Sequence, residues 1–269
     1  MSKIPTALTG FLYLVAMGTI ILSASFPNYE NTLSLMTEEN GFFESVSVLL
    51  LLSISVYGIM NIKNKSKFST LFFYVIIIFS TLTFLAAMEE VSWGQHIFHF
   101  KSGDFFLEKN LQAETNLHNL IDGNIFSSIV YSCVYTFLVF IPLSLKLFPD
   151  LENKINALKY FNINPHIILI VLFASSFQIY FYDDFSVWSD MLTHIVALLL
   201  FAVFLIVNKS SKWLKLHFLF LLAATTISML SYEIYRFENM QYEIREMFVV
   251  LASLFVFIEI IQKEKRLSL

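Results

Sequence analysis

The apolar positions of this chain fall into eight runs, at 8–26, 42–62, 69–88, 125–147, 165–182, 187–208, 213–232 and 244–262. Each approaches the roughly 20 residues that a helix needs to cross a hydrocarbon core. Lipid offers backbone groups no partner, so a spanning run closes its hydrogen bonds within itself as a helix. The pattern predicts an all-α polytopic membrane bundle of about eight transmembrane helices, forming one integral membrane domain over residues 1–269. Pro27, Pro149 and Pro165 flank runs, whereas Pro142 lies inside the fourth and predicts a kink there. No internal repeat, low-complexity tract or Gly/Ser linker interrupts the series.

Charge sorts the connections into two alternating sets. Lys3, Lys63, Lys65, Lys67, Lys146, Lys154, Lys159, Lys209, Lys212, Lys215, Lys263, Lys265 and Arg266 fall on one side, and only Lys101, Lys109, Arg236 and Arg245 on the other. Positively charged loops stay in the cytoplasm, which places both termini there. Acids run the opposite way: all but Asp150, Glu152, Glu259 and Glu264 belong to the outer connections or outer first turns. A solvated rim and helix N-terminal caps account for part of that bias. Lys3 ahead of an apolar run ending in "SAS" at 23–25 also has the outline of a cleavable signal peptide, and cleavage would not change the remaining topology.

Composition agrees with a membrane protein. Hydrophobic residues make up 57% of the chain and charged residues 14%, against roughly a quarter charged in soluble domains. A net charge of -4 and the lack of a basic stripe exclude a nucleic-acid partner. Membrane lipids are the expected surroundings, and the lone Cys133 permits no internal disulfide.

Candidate chemistry gathers on the outer side, most densely in 89–124, which reads as an interfacial or re-entrant segment. In "MEEVSWGQHIFHF" (88–100), a third helix extended to residue 99 would place Glu89 and His96 on one face, with Ser92 and His99 nearby and Glu90 pointing elsewhere. In "NLQAETNLHNL" (110–120), a helix would stack Asn110, Glu114 and His118. Glu44 lies in the first turn of the second run. Asp190 and His194 are four apart at the start of the sixth, and Glu243, Arg245 and Glu246 open the last. Ionisable groups at such depths are functional candidates by default. The expected metal ligands are Glu89, His96, Glu114, His118, Asp190 and His194. Such a mixed carboxylate and imidazole set suits zinc or manganese. Glu90 or Glu44 is the expected proton acceptor for a metal-bound water.

The segments "ENGFFES", "MEEVSWGQ" and "NLQAETNLHNL" resemble a group of bacterial multi-pass membrane proteins, over about residues 38–120. The resemblance implies a location in the bacterial inner membrane and supplies no activity. Two membrane hydrolase families do not extend to this chain. The CAAX-type proteases need EExxxR, and Gly94 stands where the arginine would be. The alkaline-ceramidase-like hydrolases use a late HxxxH, which does not occur here.

The expected function is a metal-dependent hydrolase or transferase acting on a lipid or lipid-linked substrate, with its site facing the periplasm. One alternative is a non-catalytic sensor or assembly component, with the polar cluster as its contact surface. The other is a cation or small-solute transporter, against which stand few glycines and no midplane charge.

Overall fold

The computed structural model describes residues 6–25, 41–63, 68–111, 113–120, 123–176, 185–231 and 238–267. Among them every regular element is helical. The long helices are α1 (Thr6–Ser25), α2 (Phe42–Ile62) and α3 (Thr70–Glu90). After two short helices, α4 (Gln95–Phe98) and α5 (Asp104–Lys109), the chain runs through α6 (Gly123–Tyr135) and a π-helical turn (Thr136–Phe140) into α7 (Ile141–Leu147). The short α8 (Asp150–Lys154) is followed by α9 (Pro165–Ser175), α10 (Phe185–Val207), α11 (Lys212–Ser231) and α12 (Glu238–Leu267). Each of the eight apolar runs is thus represented by a helix or a continuous helical stretch.

Three of these stretches, Phe42–Ile62, Thr70–Glu90 and Ser128–Leu147, are long and apolar enough to cross a membrane, and Thr9–Thr19, Pro165–Ser175 and Met191–Val207 are shorter apolar helices. On α3, Leu71, Tyr74, Val75, Ile78, Leu82 and Phe84 are exposed. Water would not tolerate so continuous an apolar face, and lipid covers it without cost. This is the build of a membrane protein.

The core is organised around α9. Residues Ile167 to Ser175 are all buried, as expected of a helix apolar on every side. Its walls are α10, α11, α12 and the π turn, and α1 reaches it through Tyr13, whose ring centroid lies 4.0 Å from that of Phe173. Phe173 meets Phe248 of α12 edge-on at 4.9 Å. α2 and α3 pair as a hairpin that leans on α12. The hairpin closes where Gly58 passes Ser80: a Cβ on Gly58 would fall 1.8 Å from Ser80 Oγ and 3.2 Å from the Phe257 ring.

Polar side chains inside the helices are satisfied locally. Ser80, Thr83, Ser175, Thr225 and Ser253 donate to carbonyls one turn back, for example Ser80 Oγ to Ile76 O at 2.7 Å. Ser176 and Thr225 also bond each other at 2.7 Å, joining the end of α9 to α11. Pro142, which cannot donate to the residue four back and would collide with its carbonyl, sits just after the π turn. The helix accommodates it by widening that turn. The histidines His166 and His217 are 3.3 Å apart, and His217 Nε2 lies 2.9 Å from Tyr13 OH, a chain that ties α9, α11 and α1.

Candidate functional site at the acidic end

Glu44, Glu90, His194, Arg245 and Glu246 collect at one end of the bundle, and the connection 91–120 leaves α3 at the same end. That connection is a cap, and its backbone shows how α3 stops. Ser92, Trp93 and Gly94 take φ values of 45°, 55° and 84° in succession. A left-handed conformation costs a non-glycine residue about 1–2 kcal/mol, so Ser92 and Trp93 need compensation, whereas Gly94 adopts it freely. Compensation comes from side chains. Trp93 Nε1 donates to Glu89 Oε1 at 2.7 Å, and Glu89 Oε2 accepts the Leu117 amide at 2.5 Å. Ser92 Oγ donates to Glu114 Oε2 at 2.5 Å.

Behind these bonds lies a buried polar network. Asn116 Nδ2 donates to Ser92 Oγ and to Glu114 Oε2, both at 3.0 Å. Asn110 Nδ2 donates to Asn116 O and Oδ1, both at 2.8 Å, and Asn110 Oδ1 accepts the Glu114 amide at 3.2 Å. Gln95 Oε1 accepts from Ser102 Oγ and from the Thr115 amide, and Ser102 Oγ in turn bonds Ala113 O. Two segments more than a dozen residues apart, "SWGQ" and "NLQAETN", therefore hold each other.

This geometry corrects two expectations. α3 ends at Glu90 rather than continuing to residue 99, because the left-handed run at 92–94 turns the chain. Glu89 and His96 consequently do not share one helical face. The described residues among 110–117 form no helix either: Asn110 is extended and Ala113 has φ 56°. Asn110, Glu114 and His118 do not stack at helical spacing. Glu89 and Glu114 both serve the cap. His96 is the second residue of α4 and His118 opens a short 3₁₀ turn, with both side chains outside the described residues, as is that of Asp190 on α10. No group of three His, Cys, Asp or Glu side chains among the described residues is arranged to hold a metal.

At the same end a second constellation draws on five helices, with Glu44, Arg245 and His194 buried, Glu90 half-buried and Glu246 at the surface. Glu44 on α2, Glu90 on α3 and Glu246 on α12 lie close enough for both neighbours' charges to act on Glu90. Glu44 is buried. Arg245, 3% exposed, places its guanidinium 3.0 Å from the ring centroid of Tyr131 on α6, a cation–π arrangement strongest where water is excluded. One turn further along that helix, Tyr135 OH lies 3.0 Å from Nδ1 of the buried His194 on α10, and the Arg245 charge reaches His194.

The expected proton acceptors Glu44 and Glu90 are therefore neighbours, and His194 belongs to the same end. No family model matches this chain, and no curated protein or solved structure matches it. Assignment of the site rests on its geometry.

Two members escaped the sequence reading. Tyr131 and Tyr135 looked like ordinary aromatics of an apolar run. Their four-residue spacing, near the outer start of a span, was the available signal. Arg245 stood out only as a charge opening the last run, and the structure turns its guanidinium to Tyr131 of α6.

Proposed function

We propose that the protein is an enzyme of the bacterial inner membrane that hydrolyses, or transfers a group from, a lipid or lipid-linked substrate, through acid–base chemistry at the acidic end. The observation that carries this reading is that carboxylates of three helices, Glu44, Glu90 and Glu246, lie at one end within reach of one another's charge and of the buried Arg245. Charges are expensive inside a membrane and mark functional positions there. Adjacent like charges favour retention of a shared proton, which gives the site one carboxyl that donates and one carboxylate that accepts. Glu90 and Glu44 are the proton-transferring pair, Arg245 the counter-charge for an anionic substrate group, and His194 with Tyr135 a neighbouring polar pair.

Eight spans with both termini cytoplasmic, as the lysine-rich connections indicate, put this end at the periplasmic leaflet. Segment 89–124 then lies in the outer interface. Its exposed Phe98, Phe100, Phe105 and Leu111 suit that depth. Zinc or manganese would have to draw on His96, His118 or Asp190 in addition to the cap carboxylates.

The test is turnover in liposomes made from bacterial lipid extract and supplemented with lipid-linked precursors, with products read by mass spectrometry. Wild type and the exposed-site control Glu108→Gln convert a lipid species, and Glu44→Gln and Glu90→Gln do not, while all four elute as folded protein. Equal conversion by all four overturns the reading.

The same carboxylate trio favours a second reading, coupling of a cation to solute movement. Sodium- or proton-driven uptake into sealed liposomes, abolished by Glu90→Gln without any lipid product, would select it.

A further inference from the structure

At the opposite end of the bundle, α7, the connection 148–164 and the end of α12 enclose an open cleft of about 500 Å³. Its walls carry Lys146, Lys159, Lys263 and Arg266 against two carboxylates, Glu152 and Glu259. Both carboxylates are engaged by N–H groups. Glu152 Oε2 accepts from Asn162 Nδ2 at 2.6 Å, and Glu259 Oε2 accepts the Asn164 amide at 3.0 Å, at the start of α9. Glu259 also pairs with Lys263 along α12 at 3.6 Å.

Asn162 organises the cations. Its side-chain oxygen accepts from Lys146 and its backbone oxygen from Lys263, so one residue draws two ammonium groups together. They are close enough for the charge of Lys263 to act on Lys146. Lys159 lies beside them, 5.0 Å from the ring centroid of Tyr160. The positive-inside rule explains why lysines abound at this end. It does not explain this placement, because Lys63, Lys209, Lys212 and Lys215 stay exposed, whereas Lys146 and Lys263 are half-buried and line a cleft. Glu259 and Glu152 offset part of this charge, but with Lys159 and Arg266 the cleft keeps four cations against two carboxylates, a surplus that an anion would balance.

We propose that this cleft is a phosphate-binding site, with Lys146 and Lys263 as paired donors and Lys159 and Arg266 at its mouth. A phosphate oxygen set matches several ammonium donors at once, and basic pockets between membrane helices at the cytoplasmic side take anionic headgroups. The chemistry is shared by an anionic phospholipid of the adjacent leaflet and by a soluble phosphate compound. Only the assignment of that leaflet as cytoplasmic rests on the orientation proposed above.

The experiment uses the full-length protein in uncharged detergent, titrated separately with short-chain phosphatidylglycerol and with inorganic phosphate. Native mass spectrometry reads the adduct and thermal unfolding reads the stabilisation. Phosphatidylglycerol is expected to stay bound and to raise the unfolding temperature, with Lys146→Gln/Lys263→Gln weakening it roughly tenfold or more and Lys212→Gln leaving it unchanged. Indifference to inorganic phosphate identifies the lipid as the source, whereas competition by phosphate extends the site to soluble phosphate compounds. Should the double variant not fold, Lys159→Gln/Arg266→Gln gives the same reading at the mouth. Undiminished binding in the folded variants, or no adduct with either probe, overturns the site. Neither readout involves turnover, so failure of the acid–base reading leaves this result standing.

Discussion

Ser92 donates its hydroxyl to Glu114 Oε2 at 2.5 Å, across 22 residues of chain. The bond lies at the centre of the cap and compensates for the left-handed backbone of Ser92 itself. A buried hydrogen bond to a charged acceptor contributes about 1.5–3 kcal/mol. Ser92→Ala is therefore expected to loosen the cap and not the bundle. Hydrogen exchange across 92–117 should accelerate while α9 and α12 keep their protection.

The same network separates a metal centre from a hydrogen-bonded cap. Glu114→Ala removes the acceptor for Ser92 and Asn116, so cap protection should fall equally with and without zinc or manganese in the buffer. Metal analysis of purified wild type beside Glu114→Ala/His118→Ala is the companion measurement. Stoichiometric metal lost in the double variant would make the loop a metal centre instead.

Glu90 is expected to be more valuable to activity than to stability. Its neighbours Glu44 and Glu246 repel its charged form, and a glutamine of equal size removes that repulsion. Removing one of several neighbouring like charges relieves repulsion, so Glu90→Gln should leave thermal stability unchanged or raise it while abolishing turnover. A variant that unfolds at a lower temperature would show that the carboxylate holds the helices together.

Gly58 should tolerate no side chain. Leucine there would press on Ser80 and the Phe257 ring, where overpacking costs typically about 1–3 kcal/mol. Gly58→Leu is expected to lower the unfolding temperature in detergent and to expose the α2–α3 hairpin to protease.

Alkaline pH probes the other end. Tyr160 donates to Glu264 Oε2 at 2.6 Å and stacks on Phe72. Burial, and then the neighbouring Glu264 carboxylate, push the Tyr160 hydroxyl up to about 12. Because the folded value exceeds the ordinary one near 10, the stabilisation is complete below pH 10 and fades as pH approaches 12. Tyrosinate absorbance should show a late-titrating step that Tyr160→Phe lacks. The stability difference between the two proteins should shrink over that interval.

Helix positions were legible because apolar length alone determines them in lipid. Sequence periodicity did not reveal the cap. It extended α3 through "SWGQHIFH", since nothing in helical spacing announces that Ser92 and Trp93 turn left-handed. That turn depends on Glu89 and Glu114, and Glu114 is distant in sequence. The constellation at the acidic end was half legible. Glu44 and Glu90 stood out as charges at the edge of apolar runs, whereas Tyr131 and Tyr135 acquire meaning only from the Arg245 and His194 that face them across the bundle.

The enclosure of α9 bears on how the protein is made. Ile167 to Ser175 have no side left for lipid, and three of their walls, α10, α11 and α12, are synthesised later. Until the last of these has emerged, α9 can sit in the bilayer only as a provisional occupant. The centre of the molecule is thus completed by the C-terminal end of the chain. A ribosome that stalls before α12 leaves a product lacking part of the wall around its innermost helix, a natural mark for membrane quality control.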